Sequence, residues 1–286
     1  MKMRAFEYHR PMSIGEAVAV LSEFGDDAKV LAGGQSLLPM MAMRLGSPAH
    51  VVDIGRIPEF MSMMMTDSHV RVPAMVRHCD VENWPATIRL LNQAAPLIGH
   101  RAIRSRGSVC GSIAHGDPAA EWPAVAVALD ATIVIRGENG ERTVAAKDFF
   151  KGFLSTDVGP DELVTEVCFP RLPSQTGSAI HEIARRHGDF AVCGAIAVTT
   201  LGPTGLIENP SLAAFGVGQT PQRMSAAENL LRGQRPTPEL FASAAAAVSS
   251  DVDPPSDGHA PASYRRHVVG VLMKRALVDA TAMAGV

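Results

Sequence analysis

Two glycine-rich segments contain the residues whose types and spacing could bind a phosphate-bearing ligand. The first is Leu31-Ala-Gly-Gly-Gln-Ser-Leu37, and the second is Gly107-Ser-Val-Cys-Gly-Ser-Ile-Ala-His115. Glycine lets a backbone approach a ligand closely, and each segment leads into a predicted helix start, where free N–H groups attract anions. The sequence therefore predicts a two-part cradle for a cofactor that carries phosphate.

The first segment has no basic side chain to pair with a phosphate, because residues 30–43 contain neither lysine nor arginine. Backbone N–H groups and the Ser36 hydroxyl would therefore bind the anion, as in a backbone nest. Neither G-x-G-x-x-G nor G-x4-G-K-S/T occurs in the sequence. This absence argues against a Rossmann dehydrogenase and against a P-loop enzyme.

The elements around the first segment predict a small α/β unit of about sixty residues. Ser13-Ile-Gly-Glu16 fits a capping box, and the helix that it opens ends at Phe24-Gly25, where glycine suits a left-handed position. The other predicted elements are a strand at 29–31, a short helix at 36–44 and a strand at 50–54. The first segment is thus predicted to connect a strand to a helix.

A second α/β unit is predicted to surround the second segment and to end near Pro170. Its helices are predicted at 86–98 and from Asp117-Pro118 to Leu129, and a glycine loop is predicted at 107–113. Its strands are predicted at 70–74, 131–136 and 162–169, with an Asn-Gly hairpin turn at 138–141. Alternating apolar residues in 162–169 favour a half-buried strand.

The polar, breaker-rich stretch 171–178 is interpreted as a linker to a C-terminal unit. Antiparallel strands are predicted there at 191–200 and 211–218, with a turn at 202–205. Helices are predicted to begin at Ser225 and at Thr237-Pro238, and a third is predicted at 264–284 after a proline-rich loop at 249–263.

The composition is that of an ordinary globular protein, with 286 residues, 47% of them hydrophobic, and a formal charge of −3. This charge gives no reason to expect a nucleic-acid partner or an anionic membrane surface. No apolar run approaches the roughly 20 residues that a membrane span needs. The basic N-terminal residues precede no apolar stretch, so a cytoplasmic location is expected.

The four cysteines are widely spaced, with no C-x-x-C pair for zinc or an iron–sulfur cluster. They are therefore expected to be free thiols, and any such metal centre would lie on another chain. His115, Asp117 and His100 could form a metal or proton-relay group, but histidines near helix starts more often have structural roles. We accordingly predict neither a metal site nor a catalytic acid–base pair.

Five runs of sequence together resemble one known family. They are Leu31 to Arg44, Val52-Asp-Ile54, Arg104 to Pro123, Ala184-Arg-Arg-His-Gly-Asp-Phe-Ala191 and Gly216-Val-Gly-Gln-Thr-Pro-Gln-Arg223. The family is the FAD-binding medium subunit of molybdenum hydroxylases, the carbon monoxide dehydrogenase and xanthine dehydrogenase group. The resemblance implies an α+β chain with a vanillyl-alcohol-oxidase-type (PCMH-type) FAD domain. That domain would consist of two α/β subdomains, at 1–60 and 61–175, before a C-terminal antiparallel-sheet-and-helix domain at 176–286.

The resemblance also implies which residues bind FAD. The pyrophosphate would be held by the first segment, namely Ala32, Gly33, Gly34, Gln35 and Ser36. The second segment would line the pyrophosphate, ribityl chain and flavin through Ser108, Gly111, Ser112, Ile113, Ala114 and His115. Glu121 is similar to an acidic residue that contacts the adenosine part, and Leu163 or Val164 to an apolar contact of the flavin. Gly188, Asp189 and Phe190 would approach the flavin ring where the electron acceptor docks.

The function that the resemblance implies is electron relay as one subunit of a larger oxidoreductase. Electrons would pass from a molybdopterin-binding large subunit through 2Fe–2S clusters on a small subunit to this FAD, and then to an external acceptor. The assembly implied is a dimer of heterotrimers.

The sequence departs from the family pattern in three places. Cys110 stands where a second glycine is usual, Gly116 replaces a common alanine, and Pro73-Ala-Met-Val-Arg77 replaces Gly-Ala-x-Thr-Arg. Two alternatives stay open at this point: a free-standing FAD-dependent oxidoreductase that acts on its own small substrate, and a structural subunit that has lost FAD. The first would need a base or a flavin-linking side chain, and the sequence points to none.

Overall fold

The computed structural model describes residues 2–85 and 88–285, and three larger sheets and one two-stranded sheet organise these residues. The first sheet is parallel, in the order β1-β3-β2. Its elements are β1 (Glu7–His9), α1 (Ile14–Phe24), β2 (Ala28–Leu31), α2 (Leu37–Met43) and β3 (His50–Asp53). The predicted α/β unit is confirmed here, and the short strand β1 is an addition that the sequence pattern did not indicate.

Helix α1 shows how local signals fix an element in this unit. The Ser13 hydroxyl oxygen accepts a hydrogen bond from the Glu16 N–H at 3.2 Å, as the capping prediction requires. The Glu16 carboxylate, however, accepts from the Met12 N–H at 2.8 Å and not from Ser13. At the other end Gly25 has a φ of 49°, which glycine adopts without strain.

The second sheet is antiparallel, in the order β4-β5-β10-β6-β7. The strands and helices before its hairpin are β4 (Met64–Met65), β5 (His69–Pro73), α3 (His78–Asn83), α4 (Arg89–Ala94), α5 (Arg101–Arg104), α6 (Val109–His115) and α7 (Glu121–Ala128). The remaining elements are β6 (Thr132–Gly137), β7 (Gly140–Ala145), α8 (Ala146–Phe149), β8 (Phe150–Gly152), β9 (Ser155–Thr156) and β10 (Leu163–Pro170). Strands β8 and β9 form a small separate hairpin.

Several expectations for this unit were wrong. The helix predicted at 86–98 is α4 followed by a 3-10 turn at Ala95–Leu97, and residues 86 and 87 of that prediction lie outside the described residues. The helix predicted from Asp117 begins only at Glu121, because the Asp117 carboxylate accepts from the Ala119 N–H at 2.8 Å and closes a turn. Strand β10 is almost wholly buried and not half-buried, since it lies between β5 and β6 and both of its faces are covered.

The third sheet is antiparallel, in the order β11-β12-β13-β14. Its strands are β11 (Thr176–Ala184), β12 (Ala191–Thr200), β13 (Ser211–Phe215) and β14 (Gln222–Arg223). The helices that cover it are α9 (Ser225–Leu231), α10 (Pro238–Asp251) and α11 (Ala262–Ala284).

Strand β11 was not predicted, and it begins inside the stretch that was interpreted as a linker. The predicted cap of α10 is confirmed, because the Thr237 hydroxyl accepts from the Leu240 N–H at 3.2 Å. Helix α9 begins at Ser225 as predicted, and Met224 is its N-cap residue.

Two hydrophobic clusters hold these layers together. One extends through the first two sheets and reaches into the third, around fully buried Trp122, Phe149 and Phe169. The other lies between the third sheet and helices α9, α10 and α11. The division of the chain at residues 60 and 175 stays a prediction, although each sheet draws all of its strands from one side of those positions.

Candidate cofactor site

A cavity of about 930 Å³ lies between the first two sheets and is lined by both glycine-rich segments. Its volume falls near the upper end of the roughly 300–1,000 Å³ that small-molecule and cofactor sites occupy. The lining also includes residues from the β8-β9 hairpin, from the start of β10 and from the loop between β11 and β12. All three sheets therefore contribute to one concave site.

The first segment supplies a row of free backbone donors. Ala32, Gly33, Gly34, Gln35 and Ser36 all line the cavity. Within the described part of the chain, none of their N–H groups has a hydrogen-bond acceptor. Gly34 has a φ of 72°, a left-handed conformation that suits glycine and that helps to turn this backbone. Unpaired N–H groups bordering a cavity are donors for an anionic ligand, so this segment fits a cofactor pyrophosphate.

Gly33 lies directly against the second segment. A Cβ atom at Gly33 would lie 2.4 Å from the carbonyl oxygen of Arg106 and 2.5 Å from the Cα of Gly107. Real Cβ contacts are never this short, so the two backbones can approach only because residue 33 has no side chain. The residues of the cradle are therefore brought together as the glycine pattern predicts.

The second segment is a helix and not a loop, which corrects the prediction for 107–113. Ser108 caps α6, and its hydroxyl oxygen accepts from the Gly111 N–H at 3.2 Å. Of the residues predicted to bind FAD, Ser108, Gly111, Ser112, Ala114 and His115 line the cavity, whereas the Ile113 side chain is fully buried in the hydrophobic core. The Ile113 side chain therefore does not line the cavity, and the prediction that Ile113 binds FAD stays a prediction.

Cys110 occupies the first turn of α6 without distorting it. Its thiol is buried and donates a hydrogen bond to the carbonyl oxygen of Val72 at 3.3 Å. Burial raises the pKa of this thiol far above its usual range, with a further contribution from nearby Glu166. Cys110 is therefore an unreactive neutral thiol, and the departure from glycine does not disturb the cradle.

Glu121, the first residue of α7, is a buried acid that lines the cavity. Burial raises the pKa of its carboxyl well above the usual range, and the nearby Glu182 carboxylate raises it further. Burial likewise raises the pKa of Glu182. Since two carboxylates in one buried region disfavour ionisation of both, Glu121 is a candidate hydrogen-bond donor to a ligand.

Leu163 and Val164 at the start of β10 line the cavity as buried apolar side chains. Gly188, Asp189 and Phe190 also line it, and Phe190 is 59% exposed. Whether these residues and the two segments touch the cofactor in the way the resemblance implies stays a prediction. Their placement around one cavity is an observation.

The residues bordering the cavity that the sequence reasoning missed include Lys29, His78, Leu154 and Thr156. Leu154 lies in the turn of the β8-β9 hairpin and Thr156 lies on β9, and the sequence of this hairpin contains no recognisable motif. Lys29 lies on β2, one residue before the stretch that contains no basic side chain. His78 follows a segment that departs from the family pattern, so motif comparison did not draw attention to it.

The alternative group of His100, His115 and Asp117 is not assembled as a set of metal ligands. Within residues 2–85 and 88–285, the three metal-ligating side chains that lie together are Glu7, His9 and His50, with their ligand atoms within 4.8 Å. The His9 Nε2 and His50 Nδ1 atoms are 3.0 Å apart and hydrogen-bonded to each other. His100 instead packs edge-on against His187, with ring centroids 5.6 Å apart.

Comparison with known proteins places the chain in a family. The model for the FAD binding domain in molybdopterin dehydrogenase matches residues 4–172, and the model for the CO dehydrogenase flavoprotein C-terminal domain matches residues 178–280. The chain belongs to this family of FAD-binding flavoproteins. It is an FAD-binding medium subunit of a molybdenum hydroxylase complex, which confirms the resemblance, the FAD cofactor and the oxidoreductase class.

Individual relatives agree over nearly the full length. The carbon monoxide dehydrogenase medium chain of Hydrogenophaga pseudoflava is 39% identical over 276 residues, which is 95% of this chain and 96% of that one. A solved structure of carbon monoxide dehydrogenase from the same organism, which lacks the Mo-pyranopterin moiety, has a TM-score of 0.96 and 40% identity, with 99% of each chain covered. Quinoline 2-oxidoreductase from Pseudomonas putida 86 has a TM-score of 0.94 and 31% identity, with 99% of each chain covered. The predicted fold class is thereby confirmed.

The remaining expectations concern membrane-spanning helices and the state of the cysteines. Among the helices within residues 2–85 and 88–285, none combines the length and the apolar character of a bilayer span. All four cysteines are free thiols, as expected.

Proposed function

We propose that the chain holds FAD along the described cavity and relays electrons from 2Fe–2S clusters on a small subunit to an external acceptor. The clusters would in turn be reduced by a molybdopterin-binding large subunit, in a dimer of heterotrimers. Bound FAD would supply the redox chemistry, since a flavin exchanges electrons singly or in pairs. The observation that carries the proposal is the row of free N–H groups at Ala32 to Ser36, which borders a cavity of cofactor size.

The residues of the chain would bind and orient this cofactor and would not perform acid–base catalysis. The first segment would donate backbone hydrogen bonds to the pyrophosphate, and Ser112 and His115 would continue the polar wall along α6. Glu121 would donate from its protonated carboxyl, and Leu163 would pack against the flavin. Phe190, exposed at the lining of the cavity, would lie where an acceptor approaches.

The names of the relatives support a relay role in preference to direct action on a substrate. Relatives that are 36–39% identical are subunits of enzymes named for 6-hydroxypseudooxynicotine, carbon monoxide, nicotine and caffeine. Because one medium-subunit sequence type serves such different substrates, the substrate pocket is expected on another subunit. The four free thiols support a reducing compartment such as the cytoplasm.

The first test is to purify the chain from its host with its native partners and to quantify released flavin, molybdenum and iron. FAD together with molybdenum and iron is the expected result. A yellow chain that purifies alone and is bleached by a small substrate would point instead to a free-standing oxidoreductase. A colourless chain that FAD cannot reconstitute would indicate a scaffold.

The relay itself is tested on the intact complex after anaerobic reduction with dithionite. The complex is mixed with oxygen, NAD or a water-soluble quinone, before and after removal of FAD, and reoxidation of the iron–sulfur clusters is followed. We expect at least one acceptor to reoxidise the clusters rapidly only when FAD is present, with recovery on adding FAD back. Equal rates with and without FAD for every acceptor would overturn the relay proposal.

A further inference from the structure

His78 is a buried histidine that nevertheless borders the cofactor cavity. It is the first residue of α3, and only 4% of its surface is exposed. Its backbone N–H donates to the carbonyl oxygen of Gly107 at 3.0 Å, which fixes α3 against the second glycine-rich segment. The ring is therefore held at the junction of the two segments.

The hydrogen bonds of the ring determine its tautomer. The indole Nε1–H of Trp122 donates to His78 Nδ1 at 2.9 Å. Tryptophan can only donate, so Nδ1 must carry a lone pair. Burial, with a smaller effect of nearby Arg104, lowers the pKa of His78 to about 4, so the ring is neutral near pH 7. In a neutral imidazole whose Nδ1 accepts, the proton is on Nε2.

The Nε2–H group has no protein acceptor within the described residues and lies against Gly107, which has no side chain. A Cβ atom at Gly107 would lie 2.6 Å from His78 Nε2. Gly107 and His78 both line the cavity, and no protein acceptor for Nε2–H is found in the described parts of the chain. Among the described residues, Nε2 of His78 is not one of the fully buried polar atoms that lack a partner, so it is accessible from the cavity, where a bound ligand can accept its hydrogen bond.

We propose that His78 is a cofactor-binding residue whose Nε2–H donates a hydrogen bond to an anionic oxygen of bound FAD. A phosphate oxygen is the acceptor class that the position favours, because Gly107 lies against both the His78 ring and Gly33 of the first segment, which would hold the pyrophosphate. Trp122 is a positioning residue that keeps the ring proton on Nε2. The inference rests on the proposed function, since it takes this cavity as the FAD site.

The binding test compares variants of the full chain after removal of FAD. His78→Leu removes the donor, and His78→Gln keeps an amide donor near the position of Nε2. We expect His78→Leu to raise the FAD dissociation constant by roughly tenfold to a hundredfold, the range for hydrogen bonds to charged groups. His78→Gln should recover most of that loss. Equal dissociation constants for wild type and His78→Leu, with both variants folded, would overturn the inference.

Gly33→Ala serves as the reference variant for the site itself. Should Gly33→Ala weaken FAD binding while His78→Leu does not, the inference about His78 fails and the proposed site stands. Should neither variant change FAD binding, the inference about His78 fails and the contact at Gly33 is structural only. Should the wild-type chain bind no FAD, the proposed function fails.

A measurement on the wild type avoids any folding defect of a variant. Histidine labelled with ¹⁵N reports the tautomer of His78 directly, and its Nε2 resonance reports a hydrogen bond to a ligand. We expect the Nε2–H tautomer in the flavin-free chain, and a shift of the Nε2 signal with slower proton exchange after FAD is added. An Nδ1–H tautomer, or an Nε2 signal that FAD does not move, would refute the inference.

Discussion

Replacement of Gly33 by alanine tests whether contact between the two glycine-rich segments assembles the cofactor site. Gly33 is not among the residues with a positive φ, so alanine meets no backbone penalty there. The added methyl carbon would instead lie 2.4 Å from the Arg106 carbonyl oxygen and 2.9 Å from its carbonyl carbon. The perturbation is therefore purely steric and acts between two backbones.

The backbone opposite Gly33 cannot move away easily, and this determines the free-energy cost of the substitution. The Arg77 guanidinium donates to the Ser105 carbonyl at 2.6 Å, and the Gly107 N–H donates to the Ile103 carbonyl at 2.8 Å. Relief of the clash requires a shift of about 1 Å in one of these anchored segments, and overpacking of this kind costs about 1–3 kcal/mol. If the segments separate in the flavin-free chain and must close on FAD, that cost raises the FAD dissociation constant roughly fivefold to a hundredfold.

The assay is quenching of flavin fluorescence on titration of the flavin-free chain with FAD, together with its thermal midpoint. Gly15→Ala is the matched control, because a Cβ atom at Gly15 in α1 meets nothing within 4 Å. We expect wild-type affinity for Gly15→Ala and weakened binding for Gly33→Ala. A Gly33→Ala chain with wild-type affinity, even at a lower thermal midpoint, would show that the contact is structural only and would refute the reasoning.

Two further predictions concern stability. Because the pKa of Glu121 is raised from 4.5 to about 8, the folded chain binds more protons than the unfolded chain across that interval. The free energy of unfolding should therefore fall as pH rises from 4.5 towards 8, with up to about 1.4 kcal/mol per pH unit from this carboxyl. Glu121→Gln should flatten the profile in urea titrations, and a parallel profile would contradict the assignment. Arg265 is buried and donates to the Gly216 carbonyl at 3.0 Å and to the partly exposed Asp257 carboxylate at 2.6 Å. Arg265→Ala removes the donor to the Gly216 carbonyl and should lower the free energy of unfolding by about 1–3 kcal/mol. The neighbouring Arg266 pairs with the exposed Asp253, so Arg266→Ala should lower the free energy of unfolding by less than about 1 kcal/mol. Equal decreases for the two variants would contradict the prediction.

The parts of the fold that the sequence predicted correctly are those whose signals are local. The cap of α1 at Ser13 and the cap of α10 at Thr237 each need only a hydroxyl three residues before a backbone N–H. The glycine-rich cradle was also predictable, since its residues are adjacent in the chain and their conformations depend on missing side chains. The family resemblance rests on the same contiguous runs.

The errors arose where distant residues decide the outcome. Alternation in β10 indicated one solvated face, but Glu166 on that strand is buried and pairs with Arg71 on β5 at 2.8 Å. Thr165 is buried too and donates to the Val134 carbonyl at 3.3 Å on the other side. Polar side chains that find partners on neighbouring strands look like surface residues in a sequence, so the pattern is ambiguous until the strand order is known.

The role of His78 could not be predicted from the sequence for the same reason. Its proposed role follows from Trp122, 44 positions later, and from the missing side chain at Gly107, and neither is encoded in the residues around His78. A lone histidine after a strand is compatible with many roles. Only the combination of a fixed tautomer, burial and an open side towards the cavity separates a ligand-binding ring from a structural one.

Helix α7 explains why the C-terminal sheet belongs to the cofactor site although a different family model matches it. All eight residues of α7 are buried, and its first residue, Glu121, lines the cavity. The Gly216 N–H after β13 donates to the carbonyl of Pro118 at 2.8 Å, and Arg223 of β14 donates to the carbonyl of Val127 at 3.2 Å. A helix that is buried on every side needs a covering layer, and the third sheet provides it. The same sheet brings Phe190 to the cavity through the loop after β11, so loss of its packing on α7 would disturb the buried acid and the exposed mouth together.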